Sequence, residues 1–313
     1  MYTCKMYLVG DSEIFESDPW GFQGVAAKQK ELPFLESLLS FLELDCAGVE
    51  ALFRRVAENF DRYFSSGDMV CADEAMCLLG ELSARHIYFR LPYLQWFDRK
   101  AQGTLEPGMT KELLQLTEQL PVYQRQAQAF VERILDIDQC GREVQLNTRR
   151  QYTFDQPNDP SLFRFEPIPV SFGPVDGDSC GMILHPNTIR DMIDYSLREC
   201  VMRGISVRRC RNCGRYFPLT GRVTAEYCSR PNADRKPCRN SAAALKWEQN
   251  RQGSLIFKEF RREYKRRFAW IKAGKYTEDE FSDWSRRARE KRTECENEKI
   301  TLEEFIEWLK AEG

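Results

Sequence analysis

Histidine is scarce in this sequence, and long apolar runs are missing from it. Only two histidines, His86 and His185, occur among the 313 residues. Neither lies near the paired cysteines described below, so a metal nuclease that depends on histidine is disfavoured. No run approaches the roughly 18 apolar residues that a membrane span needs, and the N-terminus has no charged segment followed by a long apolar one. We therefore expect a cytoplasmic protein without a membrane partner.

The motifs of several common enzyme classes are also missing. The sequence contains no G-x-x-x-x-G-K-S/T phosphate loop, no G-x-G-x-x-G after a strand, no H-E-x-x-H and no G-x-S-x-G. The carboxylate pairs Asp73-Glu74 and Asp191/Asp194 have a spacing that is typical of ordinary surface residues. Because nothing selects a catalytic pair among the acidic residues, we predict that the protein is not an enzyme.

The amino acids that are present suffice for a folded core, but their charge is unevenly distributed. Hydrophobic residues make up 42% of the chain and charged residues 30%, which excludes a disordered or low-complexity protein. Residues 1–200 hold 19 basic and 31 acidic side chains, whereas residues 201–272 hold 19 basic and 5 acidic ones. An acidic body joined to a basic segment predicts a polyanionic partner.

Residues 1–204 are predicted to form the acidic body, which is mostly helical. Residues 1–10 resemble a short strand, and the next twenty resemble an irregular surface segment because they contain Asp-Pro, Trp-Gly and a further glycine. From Pro33 to about Asp138, apolar residues recur three and four positions apart. This spacing indicates three or four helices, interrupted at prolines such as Pro121.

The body ends in a segment of different character. Short apolar stretches separated by Pro, Gly and Asp predict a few short strands at about 143–185. Asn187 is predicted to cap a helix that runs to about Arg203 and ends at Gly204. The fold class is therefore α+β and mainly helical.

Twelve cysteines occur in the chain, far fewer than a disulfide scaffold needs. Without a secretion signal their thiols are expected to stay reduced, which makes metal ligation the hypothesis to test. Buried single cysteines act as small apolar side chains. Eight of the twelve occur singly: Cys4, Cys46, Cys71, Cys77, Cys140, Cys180, Cys200 and Cys295.

The remaining four cysteines have the spacing of a zinc site within a predicted finger at 205–246. Cys210 and Cys213 form a C-x2-C pair, Cys228 follows after fourteen residues and Cys238 after nine more. Gly214 permits the positive φ that such a knuckle often needs. We expect Cys228 at the end of a hairpin and Cys238 in the first turn of a helix, which is a treble-clef-like arrangement. Four thiolates predict tetrahedral Zn²⁺ in a closed structural site.

The region 247–313 is predicted to be helical and contains an internal repeat. Residues 275–284 align with residues 299–308 at an offset of 24, and each copy contains a T-x-x-E capping box. Each box is expected to start an amphipathic helix whose Phe and Trp face inward. A preceding helix carries an apolar face and a basic face, with Arg267 assigned to the basic one.

The cysteine region contains a Cys-x-x-Cys-Gly-x-x-Phe knuckle followed by a Tyr-Cys-Ser…Cys-Arg element. Its residues are Cys210, Cys213, Gly214, Phe217, Tyr227, Cys228, Ser229, Cys238, Arg239 and Asn240. Over about 190–250 the chain resembles the CGNR-type zinc fingers of bacteria, which belong to transcription regulators. It resembles more closely a bacterial family of unknown function with a variable body before a C-terminal finger. The resemblance implies that the four cysteines are metal ligands and that the protein binds DNA, and we expect this role in regulation or in a mobile-element context.

The basic residues of the finger predict nucleic-acid binding through residues 205–272. Arginine outnumbers lysine among them, which favours bidentate contacts to phosphate or guanine. We expect DNA rather than RNA as the partner. The candidate nucleic-acid-binding residues are Arg211, Arg215, Arg222, Arg230, Arg235, Lys236, Arg239 and Lys246.

A second hypothesis is a protein-interaction module in which zinc only replaces a core that is too small. The basic residues would then be a solvated face paired with the acidic body, and that body would be the surface for a protein partner. Ionic strength distinguishes the two hypotheses, because a nucleic-acid complex weakens steeply with salt.

Overall fold

The fold is mainly helical α+β, as predicted. By contacts, the chain divides into two compact units, Met1–Glu226 and Tyr227–Gly313. The domain boundaries expected after residues 204 and 246 stay predictions. The computed structural model describes residues 2–19, 28–155, 159–231, 236–240, 255–297 and 299–311.

The first unit contains a five-stranded antiparallel sheet in the order β3-β2-β1-β5-β4. Gly10 makes the tight turn between the first two strands with a φ of 57°, which a glycine adopts without strain. Met6, Leu8 and Phe15 place apolar side chains in the core. The strands are β1 (Tyr2–Val9), β2 (Ser12–Pro19), β3 (Lys28–Pro33), β4 (Val170–Pro174) and β5 (Cys180–Leu184).

The expectation of an irregular surface segment after residue 10 is wrong where the structure describes it. Residues 12–19 and 28–33 are strands, and residues 20–27 lie outside the described part. Their polar composition hides the pattern, because only Glu13, Ile14, Phe15 and Ser17 are buried in β2. Pairing with β1 along its whole length supplies the order that local composition does not predict.

Helices form the rest of the first unit and pack into one hydrophobic core with the sheet. The helical structure predicted between Pro33 and Asp138 is confirmed, but the described residues there form five helices rather than the expected three or four. A 3₁₀ turn at Ile87–Phe89 and a π turn at Val131–Leu135 join some of the helices. The helices are α1 (Glu36–Leu42), α2 (Cys46–Ser66), α3 (Met69–Arg85), α4 (Arg90–Ala101), α5 (Thr110–Phe130), α6 (Ile137–Cys140), α7 (Val144–Arg150) and α8 (Ile189–Arg203).

Three local predictions in this unit need correction. Pro121 lies inside α5 rather than interrupting it, and the buried neighbours Leu120 and Ala127 keep the helix packed. Residues 144–150 are helical, so the predicted strands at 143–185 are confirmed only as β4 and β5. Thr188 rather than Asn187 caps α8, because its side chain accepts a hydrogen bond from the amide of Asp191.

Within the described residues, the second unit has three helices of ten residues or more, which share a small core of their own. They are α9 (Leu255–Lys272), α10 (Glu278–Glu296) and α11 (Leu302–Ala311). Both predicted capping boxes are present, since the hydroxyls of Thr277 and Thr301 each accept a hydrogen bond of 3.2 Å from the glutamate amide three residues later. Phe281, Trp284 and Phe305 are buried as expected, whereas Trp308 is only partly buried.

The sequence predicted that Arg267 lies on the exposed basic face of α9, and this prediction is wrong. Its side chain is fully buried, with the guanidinium carbon 4.6 Å from the centre of the Trp284 ring. It donates to the Glu263 carboxylate and to the carbonyl oxygen of Leu309, both at 3.1 Å. These bonds satisfy a buried charge that would otherwise be costly.

Candidate metal centre and basic surface

The four predicted ligands come together. The Sγ atoms of Cys210, Cys213, Cys228 and Cys238 all lie within 4.8 Å of one another. Three of these side chains are buried and Cys213 is exposed. In a tetrahedral zinc site, Zn–S distances of about 2.3 Å separate the sulfurs by about 3.8 Å, so only a small contraction is needed. The four cysteines could therefore hold one metal ion.

The first pair lies at the tip of a short hairpin formed by β6 (Val207–Arg209) and β7 (Tyr216–Pro218). The amide of Cys210 donates to the carbonyl oxygen of Arg215 at 2.9 Å, and the amide of Gly214 donates to the carbonyl oxygen of Cys210 at 2.8 Å. Gly214 has a φ of 73°, as its place in the motif predicted. This turn brings both cysteines to one side of the backbone.

The second pair is held by a different local structure. The amide of Cys238 donates to the carbonyl oxygen of Arg230 at 2.9 Å, and the amide of Arg239 donates to that of Cys228 at 3.0 Å. An isolated bridge between Pro231 and Pro237 closes the base of the long gap. Cys238 begins the helical residues 238–240, as expected, but Cys228 lies in an irregular segment rather than at the end of a hairpin. The hairpin instead carries the first pair.

Two acidic residues of the body anchor the first hairpin. Asp136 forms a β-bridge with Val207, and its carboxylate accepts a hydrogen bond of 3.0 Å from the hydroxyl of Tyr216. Burial raises the pKa of Tyr216 to about 12, so the hydroxyl keeps the proton it donates. Asp138 pairs with the guanidinium of Arg208 at 2.9 Å. The sequence carried no sign of these contacts, because about 70 residues separate the partners.

Arg208 also organises the loop that leads from this hairpin to the second cysteine pair. Its Nη1 donates to the carbonyl oxygens of Val223 and Ala225, each at 3.0 Å. Together with the Asp138 pair, these bonds engage all three guanidinium nitrogens. Arg208 therefore stabilises the loop and is not available to an external partner.

Two of the candidate nucleic-acid-binding arginines, and Arg209 beside them, pair with carboxylates. Arg211 pairs with Glu226 at 3.0 Å within the same segment. Arg215 pairs with Glu43 of the acidic body, also at 3.0 Å, although half of its side chain stays exposed. Arg209, which lies 4.5 Å above the Tyr216 ring, pairs with Glu132 at 3.2 Å. Part of the basic charge is thus compensated inside the first unit.

The other candidates differ in their surroundings. Arg222 and Arg239 are exposed and form no ion pair within the described part of the chain. Lys236 is exposed and Arg230 is partly buried, and both have partners. Arg235 and Lys246 lie outside the described residues.

The finger aromatics serve packing. Tyr216 and Phe217 are each only 8% exposed, and Tyr216 belongs to the core of the first unit. Neither ring offers a free face on which a base could stack.

Both histidines make local structural contacts. His86 is buried, and its Nδ1 accepts the amide of Tyr88 at 3.2 Å. Burial lowers the pKa of His86 to about 4, so it is neutral at physiological pH. His185 forms a hydrogen bond of 2.7 Å with the hydroxyl of Ser171.

Asp194 is fully buried and pairs with Arg198, which corrects its assignment to an ordinary surface.

Residues 183–312 match the model of a protein family of unknown function, DUF6076. The matched region runs from β5 through α8 and all four clustered cysteines to α11. This agrees with the expected similarity to a family of unknown function, whereas the CGNR resemblance stays a prediction. No curated protein and no solved structure matches the chain.

None of the described helices has the combined length and apolar character that a bilayer crossing needs.

Proposed function

We propose that this chain is a zinc-stabilised DNA-binding protein. The observation that carries the proposal is the convergence of four sulfurs within 4.8 Å of one another in a strongly basic segment. Thiolates are soft ligands, and a set of four favours tetrahedral Zn²⁺ over the hard cations Mg²⁺ and Ca²⁺. The CGNR resemblance supports a role in transcription regulation or in a mobile element.

The zinc would have a structural role in this proposal. Four protein ligands leave no open position for a substrate or a reactive water, so the site supplies folding energy rather than catalysis. Zinc would hold two turns together that contribute few apolar side chains to either core. We therefore propose no enzymatic activity at this centre.

The DNA contacts would come from exposed cations around the cysteines. Arg222 and Arg239 are the best placed, because neither spends its charge on a carboxylate within the described part of the chain. Their planar guanidinium groups can contact two phosphate oxygens at once. Lys236 adds a point charge nearby in sequence. Such contacts give affinity and orientation without selecting a sequence.

The metal assignment is tested by replacing the exposed ligand. Cys213→Ser should lose about one zinc per chain and destabilise the finger, because zinc binding and folding are coupled with apparent energies of ~10–16 kcal/mol in such sites. Cys77→Ser, which replaces an exposed cysteine on α3, is the matched control. Elemental analysis and thermal melting are measured on the same samples. A Cys213→Ser protein that keeps its zinc and its melting curve contradicts the assignment.

The DNA assignment is tested by reversing the two unpaired charges. Arg222→Glu with Arg239→Glu should weaken binding to duplex DNA and lower the slope of log affinity against log salt by about 2, since each phosphate contact contributes about 0.9. Zinc content should not change. Arg55→Glu, at an exposed position of α2, is the control. Unchanged DNA affinity in the double variant would remove the finger from the interface.

A zinc-stabilised protein-interaction module is the second candidate. The ion pairs of Arg208, Arg209 and Arg215 with body carboxylates favour it, because they use cations for internal contacts. Under this candidate, the affinity for a partner would change little between about 50 and 200 mM salt. Over the same range, DNA complexes lose about 10³–10⁵ in affinity. A steep salt dependence supports the DNA-binding proposal instead.

A further inference from the structure

One face of helix α9 is exposed and mainly basic, with Phe268 as an apolar residue on it. The exposed positions of this helix carry six cations and no acidic side chain. The cations are Lys258, Arg261, Arg262, Lys265, Arg266 and Lys272. Helices α10 and α11 hold more acidic than basic side chains, so among these three helices the positive charge is concentrated on α9.

The two glutamates of α9 compensate only part of this charge. Glu259 pairs with Arg262 at 2.5 Å, and Glu263 pairs with Arg266 at 2.6 Å and with the buried Arg267. Ion pairs within the described residues therefore leave Lys258, Arg261, Lys265 and Lys272 uncompensated.

These uncompensated cations lie on one side of the helix. Their spacings of three, four and seven residues keep them close to one line along the axis, because a helix turns once every 3.6 residues. With a rise of about 1.5 Å per residue, the line is about 21 Å long. It is a rigid row of charges rather than a flexible tail.

The opposite face of α9 is occupied by its own unit. Phe260 is buried and stacks against Trp284, and Ile256, Tyr264 and Ile271 pack against the same core. A basic helix that binds a membrane surface needs a free apolar face to enter the lipid. Most of the apolar face of α9 is covered, and the exposed Leu255 and Phe268 are two separate apolar positions thirteen residues apart. The helix therefore offers mainly its charges.

We propose that the exposed face of α9 is a second DNA-binding surface, which contacts the phosphates of duplex DNA without depending on the metal centre. The inference rests on the proposed function for the choice of nucleic acid as partner. A row of fixed cations is complementary to a duplex that carries one phosphate charge per ~1.7 Å of axis. The major groove of B-DNA, about 12 Å wide, admits an α-helix, whereas that of A-form RNA is too narrow for side chains.

The experiment removes three charges from α9 and three from a neighbouring helix. The triple variant Lys258→Ala, Arg261→Ala, Lys265→Ala is compared with Arg286→Ala, Arg287→Ala, Arg289→Ala, three exposed positions of α10. Both triples change the net charge equally within the same unit. Binding of each full-length protein to a labelled 30-base-pair duplex of mixed sequence is titrated against salt.

The α9 triple should weaken binding at least about tenfold and reduce the salt slope by about 3, one for each lost phosphate contact. The α10 triple should change neither quantity by as much as half of that. Thermal melting should be the same in both, because all six side chains are exposed. The loss from the α9 triple should also persist in a Cys213→Ser background, since the helix has its own core.

Several outcomes would overturn the inference. Equal effects of the two triples would show a response to net charge alone. A lower melting temperature of the α9 triple with unchanged DNA affinity would show that the face pairs with carboxylates of the protein. A loss of binding to anionic lipid vesicles or to structured RNA, but not to the duplex, would show a different partner.

The inference and the proposed function can fail separately. If the α9 triple has no effect while Arg222→Glu with Arg239→Glu weakens DNA binding, the finger alone binds DNA and the inference is wrong. If the α9 triple weakens binding while the finger variant does not, the second surface stands and the proposed role of the finger falls. A wild-type protein that does not bind the duplex overturns both.

Discussion

Glu13 lies buried in strand β2, with only 1% of its surface exposed. Its Oε2 accepts a hydrogen bond of 3.0 Å from the amide of Ser37, near the start of α1, while its Oε1 has no hydrogen-bond partner. The carboxyl group thus accepts a hydrogen bond from one free amide at the helix start, but its other oxygen stays buried without a partner, which is unfavourable. Burial raises the pKa of Glu13 to about 7.

Glu13→Gln should remove a pH dependence of stability. The native protein keeps Glu13 protonated up to about pH 7, whereas the unfolded chain releases this proton near pH 4.5. The contribution of Glu13 to the free energy of unfolding therefore falls as the pH rises through that window, by about 3 kcal/mol in all, and stays low above it. The stability of the variant relative to the wild type should rise with pH across the window, as measured by urea unfolding.

Several buried neighbours of Glu13 titrate outside that window. Burial raises the pKa values of Tyr88, Tyr195 and Cys200 above their usual range, and His86 titrates at about 4. Glu58→Gln, at an exposed position of α2, is the control. Parallel stability curves for wild type and Glu13→Gln would show that the carboxyl group is ionised throughout.

At the scale of elements, the β6–β7 hairpin depends on the short α6 region. Asp136 caps α6 by accepting the amide of Asp138 at 3.0 Å, and it also accepts the hydroxyl of Tyr216. One buried carboxylate therefore joins a helix start to the strand that follows the first cysteine pair. The geometry of the metal centre is supported from outside its ligands.

Two variants separate the roles of this contact. Tyr216→Phe should cost about 1 kcal/mol, because it removes one hydrogen bond and leaves one carboxylate oxygen unpaired. Asp136→Ala should cost about 2–3 kcal/mol, since the cap of α6 is lost as well. Both proteins should still bind zinc, because neither residue is a ligand. Equal unfolding free energies of the two variants, or loss of zinc from either, would contradict this account.

At the scale of the whole molecule, the two hydrophobic cores contain none of the four clustered cysteines. The larger core joins the sheet with α1–α5, α7 and α8, and the smaller one joins α9–α11. A metal ion bound by the four cysteines would therefore stabilise a segment that has little core of its own.

Removal of the metal should leave most of the helix in place. After treatment with a chelator, circular dichroism at 222 nm should keep nearly all of its intensity, because α1–α5 and α7–α11 belong to cores without the four clustered cysteines. The proposed affinity for DNA should fall, because the finger contacts would be lost. Collapse of the helical signal would show that the metal centre supports the entire fold.

Local patterns in the sequence sufficed for several features. The close spacing of Cys210 and Cys213 with Gly214 predicted the first knuckle, because its hydrogen bonds lie within six residues. Thr277 and Thr301 predicted helix starts for the same reason, since a capping box spans only four residues. Helical periodicity identified most of the body because it records which face is buried.

Only the tertiary structure decided which side chains these local elements meet. Strands β2 and β3 exist through pairing that their polar composition does not indicate, and Asp136 meets Tyr216 across 80 residues. Arg267 has the spacing of a surface cation, yet it is buried against Trp284 and the end of α11. Burial and pairing between distant segments depend on the packing of whole elements, and no short window of sequence contains that information.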